Sequence, residues 1–114
     1  MRDFVATARA LADPTRVRIL KLLESGELCV CHIQERLDMA QSKVSKHLRV
    51  LYDVGLVAKR REGLWVHYRL ETAPLTACNL ACLEYVARSL NSDPLVIADA
   101  AQDATPCPVA ESAS

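Results

Sequence analysis

The chain has 114 residues, 51% hydrophobic and 25% charged, with 14 basic and 14 acidic side chains for a formal net charge of zero. That describes one small domain whose core is marginal alone, so burial against a second copy is expected. No apolar run approaches the ~18 residues of a membrane span, and Met1-Arg2-Asp3 leads into no apolar signal core, so the expectation is a cytoplasmic protein with no membrane partner. In that compartment five cysteines suggest metal or redox chemistry more than a disulfide scaffold.

In chain order, residues 4–12 suit a short helix with one apolar side. Asp13-Pro14-Thr15 is a strong helix start, because Asp can cap and Pro at the first helical position loses no needed N–H. Val17, Ile19, Leu20, Leu22 and Leu23 give that helix a broad apolar stripe, and Ser25-Gly26 stops it. A third helix is expected over about 29–37, with Ile33 and Leu37 on its inner side. Asp38-Met39-Ala40 is a turn, and the next helix runs over 41–52 with Val44, Leu48 and Leu51 as its buried stripe.

The opposite side of that helix is polar and basic, with Gln41, Ser42, Lys43, Ser45, Lys46, His47 and Arg49 as candidate contacts to DNA. Such a face suits a major groove, with short polar side chains at base edges and bases on phosphates. Gly55 ends the helix and a hairpin follows, with strands at 57–61 and 64–70, Glu62-Gly63 as the turn, and Lys59, Arg60 and Arg61 as candidate phosphate contacts. Residues 41–70 hold seven bases against two acids, Asp53 and Glu62, whereas 91–114 hold four acids and no base. A solvated basic face is the plain alternative. The order of elements is that of a winged helix-turn-helix, mainly α with a β-hairpin wing.

Pro74 is expected to open a last helix over about 75–90, on which Leu75, Cys78, Cys82 and Val86 form a stripe. So much apolar surface at the end of a small domain suggests a homodimer seam shared with the first helix. Residues 1–90 thus form the DNA-binding and dimerisation domain. Residues 91–114, rich in Ala, Asp, Pro and Ser, read as an acidic flexible tail with a short helical turn near 95–98.

These motifs resemble the ArsR family of bacterial metal- and metalloid-responsive winged-helix repressors over about residues 10–70. The resemblance rests on Leu11-Ala12-Asp13-Pro14-Thr15-Arg16, Glu27-Leu28-Cys29-Val30-Cys31, Gln41-Ser42-Lys43-Val44-Ser45-Lys46-His47-Leu48 and Gly63-Leu64-Trp65-Val66-His67-Tyr68-Arg69-Leu70. It implies a homodimer on double-stranded operator DNA that blocks transcription and leaves when inducer binds. Leu28-Cys29-Val30-Cys31 looks like the arsenite- and antimonite-sensing motif, so the resemblance implies that Cys29 and Cys31 ligate As(III) or Sb(III), with no other cofactor required. Three departures stand out. Gln34 occupies the position of the usual third cysteine, Ala40 replaces a frequent serine at the recognition-helix start, and no histidine follows His67. Either Ser42 or Asp38 supplies the helix-end hydrogen bond, or that helix end is simply weaker.

Soft thiolates select soft ions such as As(III). A helix rotates ~100° per residue, so thiols at i and i+2 point roughly 200° apart and can share one ion only if the helix start unwinds or tilts. That conflict is the expected switch, passed to the recognition helix through the three-residue turn. Candidate third ligands are Cys78 and Cys82, which share a helix face but suit dimer-seam packing better, and Cys107, 17 residues past Leu90, which is as readily an idle thiol. A flexible segment of that length spans ~20–25 Å. A zinc site from Cys29, Cys31 and His32 fits a tetrahedron poorly because the ligands crowd in sequence. Alternatives are a redox or persulfide thiol switch, a Cd-, Pb- or Zn-sensing repressor, or two small buried residues with no ligand role. An enzyme would need a nucleophilic cysteine with a base or a CxxC pair, and neither is evident.

Overall fold

The computed structural model describes residues 1–72 and 75–101. Its elements are α1 (Arg2–Leu11), α2 (Pro14–Leu23), β1 (Leu28–Cys29), α3 (Val30–Leu37), α4 (Gln41–Asp53), β2 (Val57–Glu62), β3 (Trp65–Leu70), α5 (Ala77–Arg88) and α6 (Pro94–Ala101). The winged helix-turn-helix is present: α3 and α4 are the helix-turn-helix, and β2–β3 the wing.

Helix α2 sits at the centre. Asp13 caps it, accepting from the N–H groups of Thr15 at 2.8 Å and Arg16 at 3.2 Å. A cap of this kind is worth about 1 kcal/mol. Ile19, Leu20, Leu22 and Leu23 meet Ile33 and Leu37 of α3, Val44, Leu48 and Leu51 of α4, and Leu56 and Val57. The stripes expected on α3 and α4 are therefore the core.

The sheet has the order β1-β3-β2 and is antiparallel throughout. Opposed residues share a face. Leu28, Tyr68, Val66 and Leu70 turn inward, where Tyr68 is buried, while Cys29, His67 and Arg60 lie in one row across the other face. The hairpin closes one residue later than expected: Glu62 pairs with Trp65, leaving Gly63-Leu64 as the loop. Gly63, at φ 61°, supplies the positive φ that a two-residue hairpin loop needs.

Three further boundaries differ from expectation. Cys29 is in β1, not in α3, because it pairs with His67 of the distant β3. Helix α5 begins after Thr76, whose hydroxyl accepts from the Asn79 N–H at 3.1 Å; Pro74, expected to open it, lies outside the described residues. The turn expected near 95–98 is an eight-residue helix, α6, lying against α2. Asp93 caps it through Leu95 and Val96 N–H groups at 2.9 and 3.3 Å, and the buried Asp99 accepts two hydrogen bonds of 2.8 Å from Arg18. Ordered packing thus continues past residue 90, and the rest of the expected tail, with Cys107, lies outside the described residues.

Two polar ties hold α5 in place. Lys21 Nζ donates to the Val86 carbonyl at 3.0 Å and to Asn91 Oδ1 at 2.9 Å. The buried Asn79 accepts from Thr7 Oγ1 at 3.2 Å and donates to the Val54 carbonyl at 2.9 Å, joining α1 and α5 to the end of α4.

Candidate functional site

The thiol pair lies at a strand–helix corner. Pairing with β3 holds Cys29 extended, at φ −78° and ψ 159°, as the N-cap residue of α3, and Cys31 follows in the first turn. The two sulfurs are joined to each other, with the Cα atoms 5.4 Å apart. This overturns the expected geometrical conflict: the ~200° divergence holds only if both residues are helical. Cys29 is not, so the sulfurs meet while α3 stays regular.

His32 completes a cluster in which the three ligand atoms lie within 4.8 Å of one another. Crowding in sequence therefore does not keep them apart. Cys29 is 1% exposed, whereas Cys31 and His32 are half-buried. Beside Cys31 an open cleft of about 530 Å³ is lined by Gln34, Glu35, Asp38, Met39 and Ala40, so the residue in place of a third sulfur faces the same opening. Cys78 and Cys82 are on α5, outside this cluster; burial and the neighbouring Cys78 push the Cys82 thiol pKa up. Among the described residues the corner thus offers two sulfurs and one imidazole.

Directly after the turn, α4 presents Gln41, Ser42, Lys43, Ser45, Lys46 and Arg49 to solvent, while Val44, Leu48 and Leu51 are buried. His47 departs from its expected place. It is half-buried on the α2 side, with Nδ1 3.3 Å from Arg16 Nη1. Arg16 also donates to the carbonyls of Ala10 at 2.7 Å and Arg9 at 2.9 Å, so it ties α1, α2 and α4 together. Ala40 supplies no side-chain cap to α4, and neither Ser42 nor Asp38 replaces it. Asp38 instead takes the left-handed conformation, φ 53°, that ends α3.

The three wing bases are not equivalent. Lys59 lies 4.3 Å over the Tyr52 ring, and Arg61 donates from Nε to the Gly63 carbonyl at 3.2 Å. Arg60 is bound by two carboxylates, Glu27 at 2.6 Å and Glu62 at 2.7 Å. The hydrogen bonds from Arg60 hold the Glu27 carboxyl below its ordinary pKa. Sequence reading missed Glu27 and His67 as neighbours of the site. Glu27 lies two residues before the Cys-x-Cys motif, but its partner is 33 residues away, so only the strand pairing reveals the contact.

A family profile described as "Bacterial regulatory protein, arsR family" matches residues 13–59. The chain is 52% identical over 63 residues to the arsenical resistance operon repressor of Escherichia coli, covering 54% of each. It is 36% identical over 87 residues to the arsenical resistance operon repressor of Bacillus subtilis, covering 73% of this chain and 83% of that relative. The match spans about half the length of the Escherichia coli repressor. Among solved structures it is similar to HlyU of Vibrio cholerae, at 33% identity and TM-score 0.65 over 76% of this chain and 90% of that one. It is also similar to a homodimeric winged helix-turn-helix DNA-binding domain of Mycobacterium bovis, at 34% identity and TM-score 0.62, covering 75% and 79%. A third is the AntR antimony-specific transcriptional repressor, at 34% identity and TM-score 0.58, covering 71% and 70%.

Proposed function

Because the chain belongs to the ArsR family of bacterial regulatory proteins, we propose that it represses arsenic-resistance genes, binding operator DNA as a homodimer and leaving it when As(III) or Sb(III) binds. The observation that carries this reading is the meeting of the Cys29 and Cys31 sulfurs one short helix and one turn before the exposed face of α4. As thiolates they suit a soft ion, and Cys31 opens to a cleft through which one can enter. His32 is a third donor within reach.

Gln41, Ser42, Lys43, Ser45, Lys46 and Arg49 read the major groove, and Lys59 and Arg61 take phosphate. An ion bridging Cys29 and Cys31 fixes β1 against the head of α3, and the turn at 38–40 carries that change to α4. Release follows when the ion prefers the arrangement that fits DNA less well. The dimer forms through α1 and α5, where Phe4, Leu80 and Tyr85 are 64%, 48% and 69% exposed; the similarity to a homodimeric domain supports a dimer.

The test is Cys29→Ser/Cys31→Ser in a fluorescence-anisotropy assay on operator duplex under reducing conditions. The variant is expected to bind DNA and ignore arsenite. Normal release by arsenite would eliminate the assignment. The joined sulfurs favour a second reading, a thiol-oxidation switch. Release by peroxide or polysulfide, with no response to arsenite under reducing conditions, selects it.

A further inference from the structure

We infer that Glu27, helped by Glu62, withholds Arg60 from DNA phosphate, so that the segment leading into the thiol-bearing strand also sets how much positive charge the wing presents. Arg60 Nε donates to both Glu27 oxygens at 2.8 and 3.0 Å, Nη2 lies 2.6 Å from Glu27 Oε1, and Nη1 donates to Glu62 Oε2 at 2.7 Å. All three guanidinium nitrogens are thus committed to carboxylates. One positive charge between two negative ones leaves a local excess of negative charge, which opposes an approaching phosphate. Lys59 and Arg61 sit on a ring face and a carbonyl, so among the described residues Arg60 alone of the three is neutralised.

A lone surface ion pair holds little weight, but a bidentate guanidinium shared by two carboxylates has the geometry that makes such contacts count. The sheet fixes that geometry. Arg60 pairs with His67, His67 pairs with Cys29, and Glu27 lies two residues before Cys29 on the same face. His67 Nδ1 is 4.0 Å from Glu27 Oε1, inside the same row. Glu27 leads directly into β1, so the thiol corner and the wing cation are held by one short stretch of chain, residues 27–29. This inference rests on the reading of the chain as a DNA-binding repressor.

Salt dependence of binding to a random-sequence duplex tests it without knowledge of the operator. Each phosphate neutralised contributes about 0.9 to the slope of log K against log salt. The wild type, R60Q and the triple variant E27Q/E62Q/R60Q are expected to share one slope, and E27Q/E62Q to be steeper by about 0.9. An E27Q/E62Q slope equal to wild type would overturn the inference. So would an R60Q slope already shallower than wild type, since Arg60 would then be on phosphate despite the carboxylates. Binding with such slopes sinks this inference alone, whereas no binding by any of the four proteins sinks the repressor reading beneath it.

Discussion

The thiol corner with its wing and the α5–α6 side each carry two thiols and an arginine held by carboxylate, yet they are built oppositely. At the corner, Cys29 and Cys31 are two residues apart and joined across a strand–helix junction, and Arg60 and Glu27 meet where Arg60 is half exposed. On the other side, Cys78 and Cys82 are four apart on one helix, and Arg18 meets Asp99 with the Asp99 side chain only 4% exposed. Contacts near water exchange partners at little cost, and buried ones do not. The first region has the make-up of a switch and the second that of a frame.

The sharpest way to break this contrast is to exchange the roles of the two thiol pairs. Cys29→Ser or Cys31→Ser should abolish arsenite-driven release, while Cys78→Ser/Cys82→Ser should retain it; loss of release in the α5 variant, read by anisotropy, would move the sensor to the other side. Next in size, Asp99→Ala strands Arg18, whose side chain is 20% exposed, and should cost about 2 kcal/mol in urea unfolding. A loss within error would make α6 an ornament instead of part of the frame.

A smaller effect is expected at the cap of α2, where Asp13→Ala should cost about 1 kcal/mol. Burial pushes the Asp13 pKa up, but hydrogen bonds from the Arg16 and Thr15 N–H groups, with the nearby His47 and Arg16 charges, outweigh it and leave it below 3.8. Its contribution is therefore complete above pH 3.8 and lost as pH falls through the lower folded value. Urea midpoints of wild type and variant should converge in that acid window. The mildest expectation concerns Cys82: with its pKa raised, it holds less thiolate at a given pH, so its alkylation curve should lie on the alkaline side of an ordinary thiol's. A curve on the acid side would mark it as a reactive group.

Much of this arrangement was legible because it is local. The Val44, Leu48 and Leu51 stripe, the Asp13-Pro14 start and the alternation in β3 each lie within a dozen residues, and each predicted its element. Strand β1 was not legible, since two residues show no period and its conformation comes from a partner about 40 positions away. That one omission placed Cys29 in a helix and produced a switch mechanism the corner does not need. Helix α6 is a different kind of miss. Asp93-Pro94 repeats the Asp13-Pro14 start, but four acids and the surrounding alanines and prolines suggested a solvated tail. The burial of Asp99 against Arg18 is long-range, and composition does not report it.

The tie made by Asn79 makes α4 a lever. Its amide grips the carbonyl of Val54 beside Gly55, where an added Cβ would sit 3.1 Å from Asn79 Nδ2, so the far end of the helix has a fixed fulcrum. Thirteen residues of helix span about 20 Å, and a tilt of ~10° about that point carries Gln41 about 3 Å. A displacement of that size parts a side chain from a base edge. On the proposed reading, a repacking of the Val44 and Leu48 stripe against α2 is therefore enough, at the tip, to lose the grip on DNA.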